Sequence, residues 1–455
     1  MGGEWRVGTL RDAIGEKGYI RGPFGSSLRR PELKSSGVPV YEQQHAINGT
    51  REFRFYIDEE KYKTLKRFTV QPNDLIISCS GTLARVSMIQ PKDPVGIISQ
   101  ALLILRPDTT VVWPRYLYYF MSSKQGFASL VGVSTGSVQV NIAGRSIIEQ
   151  IELPLPPLPE QRAIAHILGT LDDKIELNRR MNQTLEEMAR AIFKSWFVDF
   201  DPVRAKAAVR REHPDWSNAQ VSRAACPTLK PEIAELFPEE FENSELGEIP
   251  KGWRVGRLPE SIDFLEGPGL RSVQYRNEGM RFLNIRCISE GDLDIEKANC
   301  ISFEEFEMKY SHFALREDDI VISTSGTLGR LAIVRDDHLP LMLNTSIIRM
   351  RGRGAVGLSY VWGFLQSGYF LSEMLAYAAG SVQLNFGPIH LRQILFLRPT
   401  DDMLLGFEWI VQPLLRKSLH IRKESRTLAA LRDTLLPKLI SGELRVKDAE
   451  RFLKE

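Results

Sequence analysis

The chain repeats itself, and this repeat limits its possible folds more than any other feature. Segments of the first part recur in the same order about 245 positions later, with the offset drifting only from 248 to 244. The matching pairs are EWRVGTLRDAI (4–14) with GWRVGRLPESI (252–262), QPNDLIISCSGTLARVSMI (71–89) with REDDIVISTSGTLGRLAIV (316–334), and TGSVQVN (135–141) with AGSVQLN (379–385). A long-period repeat of this kind predicts two similar domains in tandem.

Each copy is followed by a stretch with helical periodicity. Pro159 and Glu160 open the first stretch and suit the first turn of a helix, where backbone donors are free and the helix dipole is positive. Apolar residues then recur at spacings of three, four and seven, which is typical of a helical seam. The predicted seam residues are Ile164, Leu168, Leu171, Ile175, Leu185, Met188, Ile192 and Trp196, then Phe407, Val411, Leu414, Ile421, Leu428, Leu431, Leu435 and Leu439.

The two seams predict that the long helices cover each other. A helix of some 35 residues is about 50 Å long, and the economical cover for its apolar stripe is the other helix, packed antiparallel. Polar residues interrupt both seams, namely Asn178 and Asn182 in the first and Ser418 and Ser425 in the second. Such interruptions can fix the register of a helix pair at some cost in stability.

Short apolar strand segments and aromatic helical segments alternate inside each copy. We therefore predict an α+β protein with two tandem mixed α/β domains, each followed by a long helix, the two helices packed as an antiparallel coiled coil. The predicted boundaries are 1–153 for the first domain, 154–200 for its helix, 201–249 for a connector wrapped on the surface, 250–397 for the second domain, and 398–455 for the second helix and C-terminal tail.

The composition is that of a multidomain protein. With 455 residues, 43% of them hydrophobic, the chain is too long for one core and too apolar to be disordered. Four separated cysteines favour a reduced chain, and the absence of a run of roughly 20 apolar residues predicts a cytoplasmic protein without a membrane span. Residues 1–150 hold 19 Lys and Arg against 13 Asp and Glu, which is compatible with a polyanion partner.

Signatures of catalysis are missing from the sequence. It contains no P-loop, no HExxH zinc motif, no GxSxG elbow and no acidic-Pro-Pro-aromatic tetrapeptide, and its seven histidines lack ligand spacing. Gly352, Gly354 and Gly357 spell GxGxxG, but the equivalent segment of the first copy has no glycine. We interpret that segment as an ordinary strand-to-helix connection, and we predict no catalytic residue, no metal site and no cofactor.

The repeated octapeptides SCSGTLAR and STSGTLGR allow two interpretations. Their exposed groups could contact phosphates or bases of a nucleic acid. Alternatively, each is a hairpin turn whose hydroxyls bond their own backbone, with Asp74 and Asp319 capping the strand entrance. The candidate DNA contacts of these octapeptides are Thr82, Arg85, Thr327 and Arg330.

The repeated segments TGSVQVN and AGSVQLN contribute amide side chains. An amide can read adenine bidentately, although residues that both copies share are better suited to a common structural role. The candidates in these segments are Gln139, Asn141, Gln383 and Asn385.

Segments that differ between the copies are the better candidates for sequence specificity. They combine Arg, Gln and Asn with aromatic residues, which are the side chains that read base edges. The candidates are Arg29, Arg30, Lys34, Gln43, Gln44, His45 and Asn48 in the first copy, and Arg271, Gln274, Arg276, Asn284 and Arg286 in the second.

Taken together, these features resemble the specificity (S) subunit of a Type I restriction-modification system over essentially the whole chain. The motifs that carry the resemblance are PLPPLPEQRAI at the first domain-to-helix junction, SWFVDFDPVRAKA at the end of the first helix and ELGEIPKGW before the second domain. The second junction, ILFLRPTDDMLLGFEWIV, lacks the Pro-Pro-Leu-Pro-Glu-Gln run, so we expect that helix to start differently.

The resemblance implies a DNA reader without catalysis of its own. Each domain would be a target-recognition domain for one half of a bipartite target in double-stranded DNA, and the helices would set the gap between the halves. Two methylation (M) subunits would dock on the helices, and restriction (R) subunits would join through the complex.

Two other hypotheses remain open from the sequence alone. One is a fused methyltransferase or nuclease, which the missing motifs disfavour. The other is a coiled-coil adaptor whose repeated domains bind protein, in which case DNA affinity would be weak and insensitive to sequence.

Overall fold

The computed structural model describes residues 5–24, 27–132, 142, 144–378 and 386–452. Contacts divide the chain into two compact units. The first unit consists of residues 1–176 and 426–455, and the second of residues 177–425. These units differ from the predicted domains, because the dividing points fall inside both long helices.

The first unit combines short strands with short helices. Its described strands are β1 (Arg6–Thr9), β2 (Tyr19–Arg21), β3 (Val38–Tyr41), β4 (Tyr56–Ile57), β5 (Leu75–Ser78), β6 (Val86–Met88), β7 (Ile97–Ile98), β8 (Leu102–Leu105) and β9 (Glu152–Leu155). Its short helices include α1 (Leu10–Ile14), α2 (Gln43–Ile47), α3 (Glu59–Leu65), α4 (Pro114–Ser122), α5 (Lys124–Gly132) and α6 (Arg145–Ile148).

Three sheets organise this unit. One has the antiparallel order β2-β8-β5-β6, in another β3 lies between antiparallel β4 and parallel β7, and β1 pairs with β9. Strands β5 and β8 are buried on both faces. Leu75 and Ile77 enter one apolar core, whereas Ile76 and Ile104 enter another, as the two-residue period of a strand requires.

The first long helix, α7, spans Leu158–Phe197. The segment that follows was predicted to wrap the surface, and this prediction is wrong, because Val203, Ile233 and Phe237 belong to the core of the second unit. Lys206 is fully buried there, and its Nζ donates to the carbonyl oxygen of Phe237 at 2.6 Å. The elements of this segment are α8 (Asp201–Glu212), α9 (Asn218–Ala225), α10 (Pro231–Ala234), β10 (Phe241–Ser244) and β11 (Gly247–Pro250).

The second unit contains the same three sheets as the first. Its strand orders are β13-β21-β18-β19, β17-β14-β20 and β12-β22, with the two-stranded pairs β10-β11 and β15-β16 in addition. The strands are β12 (Arg254–Arg257), β13 (Ile262–Glu266), β14 (Met280–Phe282), β15 (Ile288–Ser289), β16 (Asp292–Leu293), β17 (Asn299–Ile301), β18 (Ile320–Ser323), β19 (Leu331–Ile333), β20 (Leu341–Met342), β21 (Ile347–Gly352) and β22 (Leu395–Arg398). The helices are α11 (Leu258–Ser261), α12 (Phe303–Glu305), α13 (Leu358–Leu365), α14 (Gly368–Ala378) and α15 (Pro388–Leu391).

The second long helix, α16 (Asp401–Ser441), is followed by α17 (Val446–Phe452). The sequence predicted a different start for α16, yet the helix begins 243 positions after α7, at the equivalent place. The means differ. The Thr400 hydroxyl accepts from the Met403 N–H at 3.4 Å, and the two aspartates of the first turn suit the positive end of the helix dipole.

Apolar residues of the two long helices share a core within each unit. Leu168 and Leu171 lie in one core with Leu435 and Leu439 in the first unit. Trp196 and Phe407 do so in the second. These contacts agree with the predicted seam.

The seam prediction fails at Met188, which is 48% exposed, whereas the neighbouring Ala189 is fully buried. The seam passes here through Asn178, Asn182 and the small Ala189, so a search for large apolar residues selects the wrong neighbour. A strict heptad also drifts against the 3.6-residue turn of a straight helix.

Replacing Ala189 with Asp should lower the free energy of unfolding of the second unit by about 4 kcal/mol, because an unpaired charge would be buried. Met188→Asp places the same charge on an exposed neighbour and should change it by less than about 0.5 kcal/mol. Urea unfolding followed by far-UV circular dichroism measures both. Equal losses for the two variants would contradict this placement of the seam.

Candidate nucleic-acid interface

The two octapeptides form the same hairpin, closed by a buried serine. Ser78 Oγ donates to the carbonyl oxygen of Thr82 at 2.6 Å and accepts from the Arg85 N–H at 3.0 Å. In the second copy Ser323 Oγ makes the equivalent bonds, at 2.5 Å to Thr327 and 2.9 Å from Arg330. The hairpin interpretation therefore holds for the backbone of both octapeptides.

The strand entrances are fixed by equivalent aspartates. Asp74 accepts from the Gln71 N–H at 2.7 Å and pairs with Arg106 at 2.8 Å. Asp319 accepts from the Arg316 N–H at 2.8 Å and pairs with Arg351. Burial raises the pKa of Asp74 above its ordinary value, while Arg106 acts in the opposite direction.

The candidate contacts of the hairpins remain accessible, since Thr82, Arg85, Thr327 and Arg330 are exposed. The Arg85 guanidinium lies 6.0 Å from the centroid of the Phe127 ring. One nitrogen of Arg330 donates to the Ile288 carbonyl oxygen at 3.3 Å. Because the backbone is closed by the buried serines, these four side chains are available to a ligand.

The residues that follow the second pair of repeated segments in sequence, Ile142 and Phe386, bond to these hairpins. The Ile142 N–H donates to the Cys79 carbonyl oxygen at 3.2 Å, and the Phe386 N–H donates to that of Thr324 at 3.0 Å. Ile142 and Phe386 thus contact the hairpin strand in the same way in each unit. The candidate amides of the repeated segments lie outside the described residues; these are Gln139, Asn141, Gln383 and Asn385.

The segments that differ in sequence nevertheless build the same turn. The Arg29 N–H donates to the Glu32 carboxylate at 2.6 Å, and the Arg271 N–H donates to the Gln274 side-chain oxygen at 2.8 Å. Each turn opens a short 3₁₀ helix, and both arginines are exposed. Arg29 and Arg271 therefore occupy equivalent positions.

A second matched pair follows each turn. The Lys34 N–H donates to the Tyr56 carbonyl oxygen and the Arg276 N–H to that of Cys300, both at 2.8 Å. The Lys34 ammonium pairs with Asp58 at 2.7 Å. The Arg276 guanidinium instead donates to backbone carbonyls of its own loop, at 2.9 and 3.0 Å. One exposed cation thus stands at the same place in both copies.

The remaining first-copy candidates lie near the hairpin or at the surface. Gln43 donates to Ser80 Oγ at 2.7 Å, so α2 begins against the SGT turn. Gln44 donates to the Glu52 carbonyl oxygen at 3.3 Å. Arg30 and Asn48 are exposed.

The prediction of His45 as a DNA contact is wrong, because its side chain is fully buried. Its Nδ1 accepts from the Glu42 N–H at 2.7 Å, and its Nε2 lies 2.9 Å from the Glu52 carbonyl oxygen. Burial also lowers the pKa of this imidazole. The residue stabilises the first turn of α2 and offers no surface to DNA.

The second-copy candidates are partly engaged with their own domain. Gln274 donates to the Glu305 carboxylate at 2.7 Å. Arg286, which is exposed, donates to the Lys297 carbonyl oxygen at 3.0 Å and to Asn299 Oδ1 at 2.6 Å. Asn284 accepts from Asn344 Nδ2 at 3.3 Å.

A polar cluster lies along residues 344–346, where Asn344 bonds to Asn284, and Ser346 bonds to Thr324 and Glu266; of these residues, only Asn284 was predicted from the sequence. The Asn284 amide nitrogen and the Thr324 hydroxyl are both buried without a hydrogen-bond partner. The nearby Glu266 carboxylate accepts from the Ser346 backbone, and burial raises the pKa of Glu266. Unpaired buried polar groups are destabilising, so this cluster is a candidate for completing its bonds with a ligand.

A sequence signal for this cluster existed. A Gly-Pro pair follows β2 at residues 22–23 and β13 at residues 267–268. The residue before each pair is Arg21 in one copy and Glu266 in the other, a charge reversal at matched positions. A two-residue match of this kind is too short to stand out beside the long repeated segments.

The GxGxxG segment does not form a phosphate site. The Glu408 carboxylate accepts from the Ser359 N–H at 3.0 Å, and it takes up the N-terminus of α13, where a phosphate would have to bind. Burial raises the pKa of Glu408. The prediction of an ordinary strand-to-helix connection is confirmed.

Two further properties concern the part of the chain that the structure describes. Within it, no group of three or more His, Cys, Asp or Glu side chains is placed to hold a metal ion. None of its helices is both long enough and apolar enough to cross a membrane.

The fold therefore defines a class of protein with two related domains that share one backbone frame and differ in their surface polar side chains. Residues 14–187 match the Type I restriction modification DNA specificity domain. The chain is 26% identical to the Type I restriction enzyme MjaIX specificity subunit of Methanocaldococcus jannaschii, over 98% of this chain and 94% of that protein. It is 25% identical to the HindI specificity subunit of Haemophilus influenzae, over 76% and 81%.

A solved structure shows the same fold. The S subunit of a Type I restriction-modification system from M. genitalium matches with a TM-score of 0.55 and 16% identity, over 96% of each chain. The chain is therefore similar to Type I restriction-modification specificity subunits, the resemblance that its sequence motifs indicated.

Replacing Ser78 with Ala should lower the free energy of unfolding by about 2 kcal/mol, because the Thr82 carbonyl and the Arg85 N–H would lose their buried partner. Arg85→Ala in the same hairpin should change it by less than about 0.5 kcal/mol. Thermal unfolding of the two variants makes the comparison. A larger loss for Arg85→Ala would show that the exposed arginine, and not the serine, holds the turn.

Proposed function

We propose that this chain is the sequence-specific DNA-binding specificity subunit of a Type I restriction-modification complex. Its target-recognition domains, residues 1–153 and 250–397, each read one half of a bipartite target in double-stranded DNA. The observation that carries this proposal is the hydrogen-bonded frame that occurs twice with different polar side chains at matched positions. An adaptor that binds one protein twice would need the same side chains in both copies.

The division of labour on each reading surface follows from what the copies share. Phosphates are the same in every sequence, so the exposed Arg85 and Arg330, present in both hairpins, are suited to phosphate contacts. Groups that differ between the copies are suited to base edges, where arginine selects guanine and amides select adenine. The described candidates of this second kind are Arg29, Arg30, Lys34, Gln43, Gln44, Asn48, Arg271, Gln274, Arg276, Asn284 and Arg286.

The long helices act as the spacer of this reader. We infer that α7 and α16 form an antiparallel coiled coil, with residues 154–200 and 398–455 as its two arms and 201–249 as the connector. Helices of 40 and 41 residues are about 60 Å long at 1.5 Å per residue. A spacer of that length leaves uncontacted base pairs between the two half-sites.

A docking surface for the methylation subunits is offered by the outer face of α7. Leu177, Met181 and Met188 are exposed by 51%, 36% and 48%, and their spacings of four and seven follow a heptad. An exposed apolar stripe with this period fits a helix of a partner. We propose that two M subunits bind to the spacer arms.

The chain contributes recognition and assembly to this complex. Methyl transfer and DNA cleavage belong to the M and R subunits, and the R subunits join through the assembled complex. The chain itself needs no cofactor in this role, and its place of action is the cytoplasm.

Exchanging residues 1–153 for the corresponding domain of another specificity subunit should change one half of the methylated motif and leave the other half unchanged. Each half is read by its own domain, and one mismatched base pair in a site costs about 1–3 kcal/mol. Methylation-sensitive sequencing of a host that expresses the chimera with its M subunits gives the motif. An unaltered motif, or changes in both halves, would refute the assignment of one half-site to each domain.

Met188→Asp should weaken binding of the M subunit about 10-fold, since a charge would be placed at the centre of an apolar contact. Gln183→Asp is the matched control, because Gln183 is exposed on α7 but lies off the stripe. Sedimentation velocity or calorimetry with the purified M subunit provides the affinities. If both variants bind like the unmodified chain, the stripe is not the docking surface.

A further inference from the structure

The helix seam of the second unit contains a polar stretch between apolar ones. Asn178 is 1% exposed, Asn182 7% and Ser418 3%, which is unusual for polar side chains between two helices. Towards the C-terminus of α7 the seam becomes aromatic, with Phe193 and Trp196. The polar stretch therefore needs an explanation other than exposure to solvent.

The polar residues bond to each other across the two helices. Asn178 Nδ2 donates to Glu424 Oε2 at 2.9 Å and to Ser425 Oγ at 3.2 Å. Two turns further along α7, Glu186 accepts from Ser418 Oγ at 3.2 Å and from Arg422 at 2.5 Å.

This set of contacts also reaches the recognition domain of the same unit. The guanidinium of Arg422 donates to the Glu290 carbonyl oxygen in the β15-β16 turn at 2.6 Å. That turn is the neighbour of the hairpin arginine, because Ile288 accepts from Arg330. Arg422 thus links the helix pair to the side of the domain that carries the candidate DNA contacts.

Stability alone does not account for these residues. The side-chain oxygens of Asn178 and Asn182 are buried without a hydrogen-bond partner, and a buried polar group left unpaired destabilises a fold. Apolar residues of similar volume would pack without that loss. Polar residues in a helix seam are best attested as devices that select one register.

The contacts distinguish the observed register from its nearest alternatives. Glu186 lies opposite Ser418. A slip of one heptad in one direction would bring Glu186 opposite Val411, which is buried and apolar. A slip of one heptad in the other direction would move the Glu186 carboxylate away from Arg422. Either slip separates the partly buried Glu186–Arg422 ion pair, which is unfavourable.

We propose that Asn178, Glu186, Ser418, Arg422 and Ser425, the polar layer, are specificity determinants that fix the number of base pairs between the two half-sites. This inference rests on the proposed function as a DNA reader with a helical spacer. The polar layer selects one register of α7 against α16. A slip of seven residues moves one helix about 10 Å along the other, which corresponds to about 3 base pairs of DNA.

The test is the double variant Asn178→Leu with Ser425→Leu, examined in the assembled complex with its M subunits. Two leucines fill the seam, so the variant should keep or raise the melting temperature. We expect unchanged half-site sequences, but methylation spread over sites whose gap differs by about 3 base pairs from the original gap. Genome-wide methylation sequencing counts the sites of each gap length.

Two controls separate register from folding. Leu185→Met alters the same stretch of α7 without touching the polar layer and should retain the single gap. The exchange variant Asn178→Ser with Ser425→Asn keeps a hydrogen-bonding pair and should also retain it, even if the leucine variant fails to fold. A single unchanged gap in a folded leucine variant, or a spread of gaps in the exchange variant, overturns the proposal. If the unmodified complex methylates no bipartite motif, the proposed function fails instead.

Discussion

Burial of the apolar stripe on the long helices is the constraint on which the rest of the structure depends. A stripe of this length cannot remain in water, and in each unit it is covered by both a globular domain and the other long helix. In the second unit Phe193 packs against α13 at Gly363, where a Cβ atom would lie 2.3 Å from the ring. Phe197 and Phe407 extend the same core with edge-to-face contacts. Each domain is therefore fixed to a long helix by an apolar core.

The buried groups that hold the backbone of each domain are distinct from the exposed groups that are proposed to read DNA. Buried groups that are matched in both units make the turns, such as the serines of the hairpins and the aspartates at the strand entrances. Exposed side chains of other turns differ between the copies, such as Lys34 in the first and Arg276 in the second. In the proposed reader, two different targets can be read with one fold, because the hydrogen bonds of these serines and aspartates do not involve the side chains that differ.

Much of the architecture could be predicted from sequence because it depends on periodicity. The repeat predicted matching domains, and the three shared sheets agree with it; the spacing of apolar residues predicted the helices and most of the seam. Met188 was misplaced because the true seam runs through asparagines and an alanine, which a hydrophobic pattern does not mark. His45 was wrongly predicted as a DNA contact, because the sequence does not distinguish an imidazole that bonds to nearby backbone from one that is free to contact a base.

Other features could not be predicted, because the segments concerned have the same structure in both copies but different sequences. Arg29 and Arg271 stand in unrelated segments, yet each opens the same turn with a different acceptor, a carboxylate in one and an amide in the other. The apolar residues after α7 gave no sign of whether they would cover the domain or join its core. Tertiary packing decides both cases, and a local pattern carries no information about it.

The buried serine that closes each hairpin has a consequence for how such a protein can change over time. Since Ser78 and Ser323 hold the loop from inside, substitutions at the exposed positions of the hairpin are nearly neutral for stability. In the proposed reader, a lineage can therefore strengthen or weaken its phosphate contacts, and with them its overall affinity for DNA, without passing through unfolded intermediates.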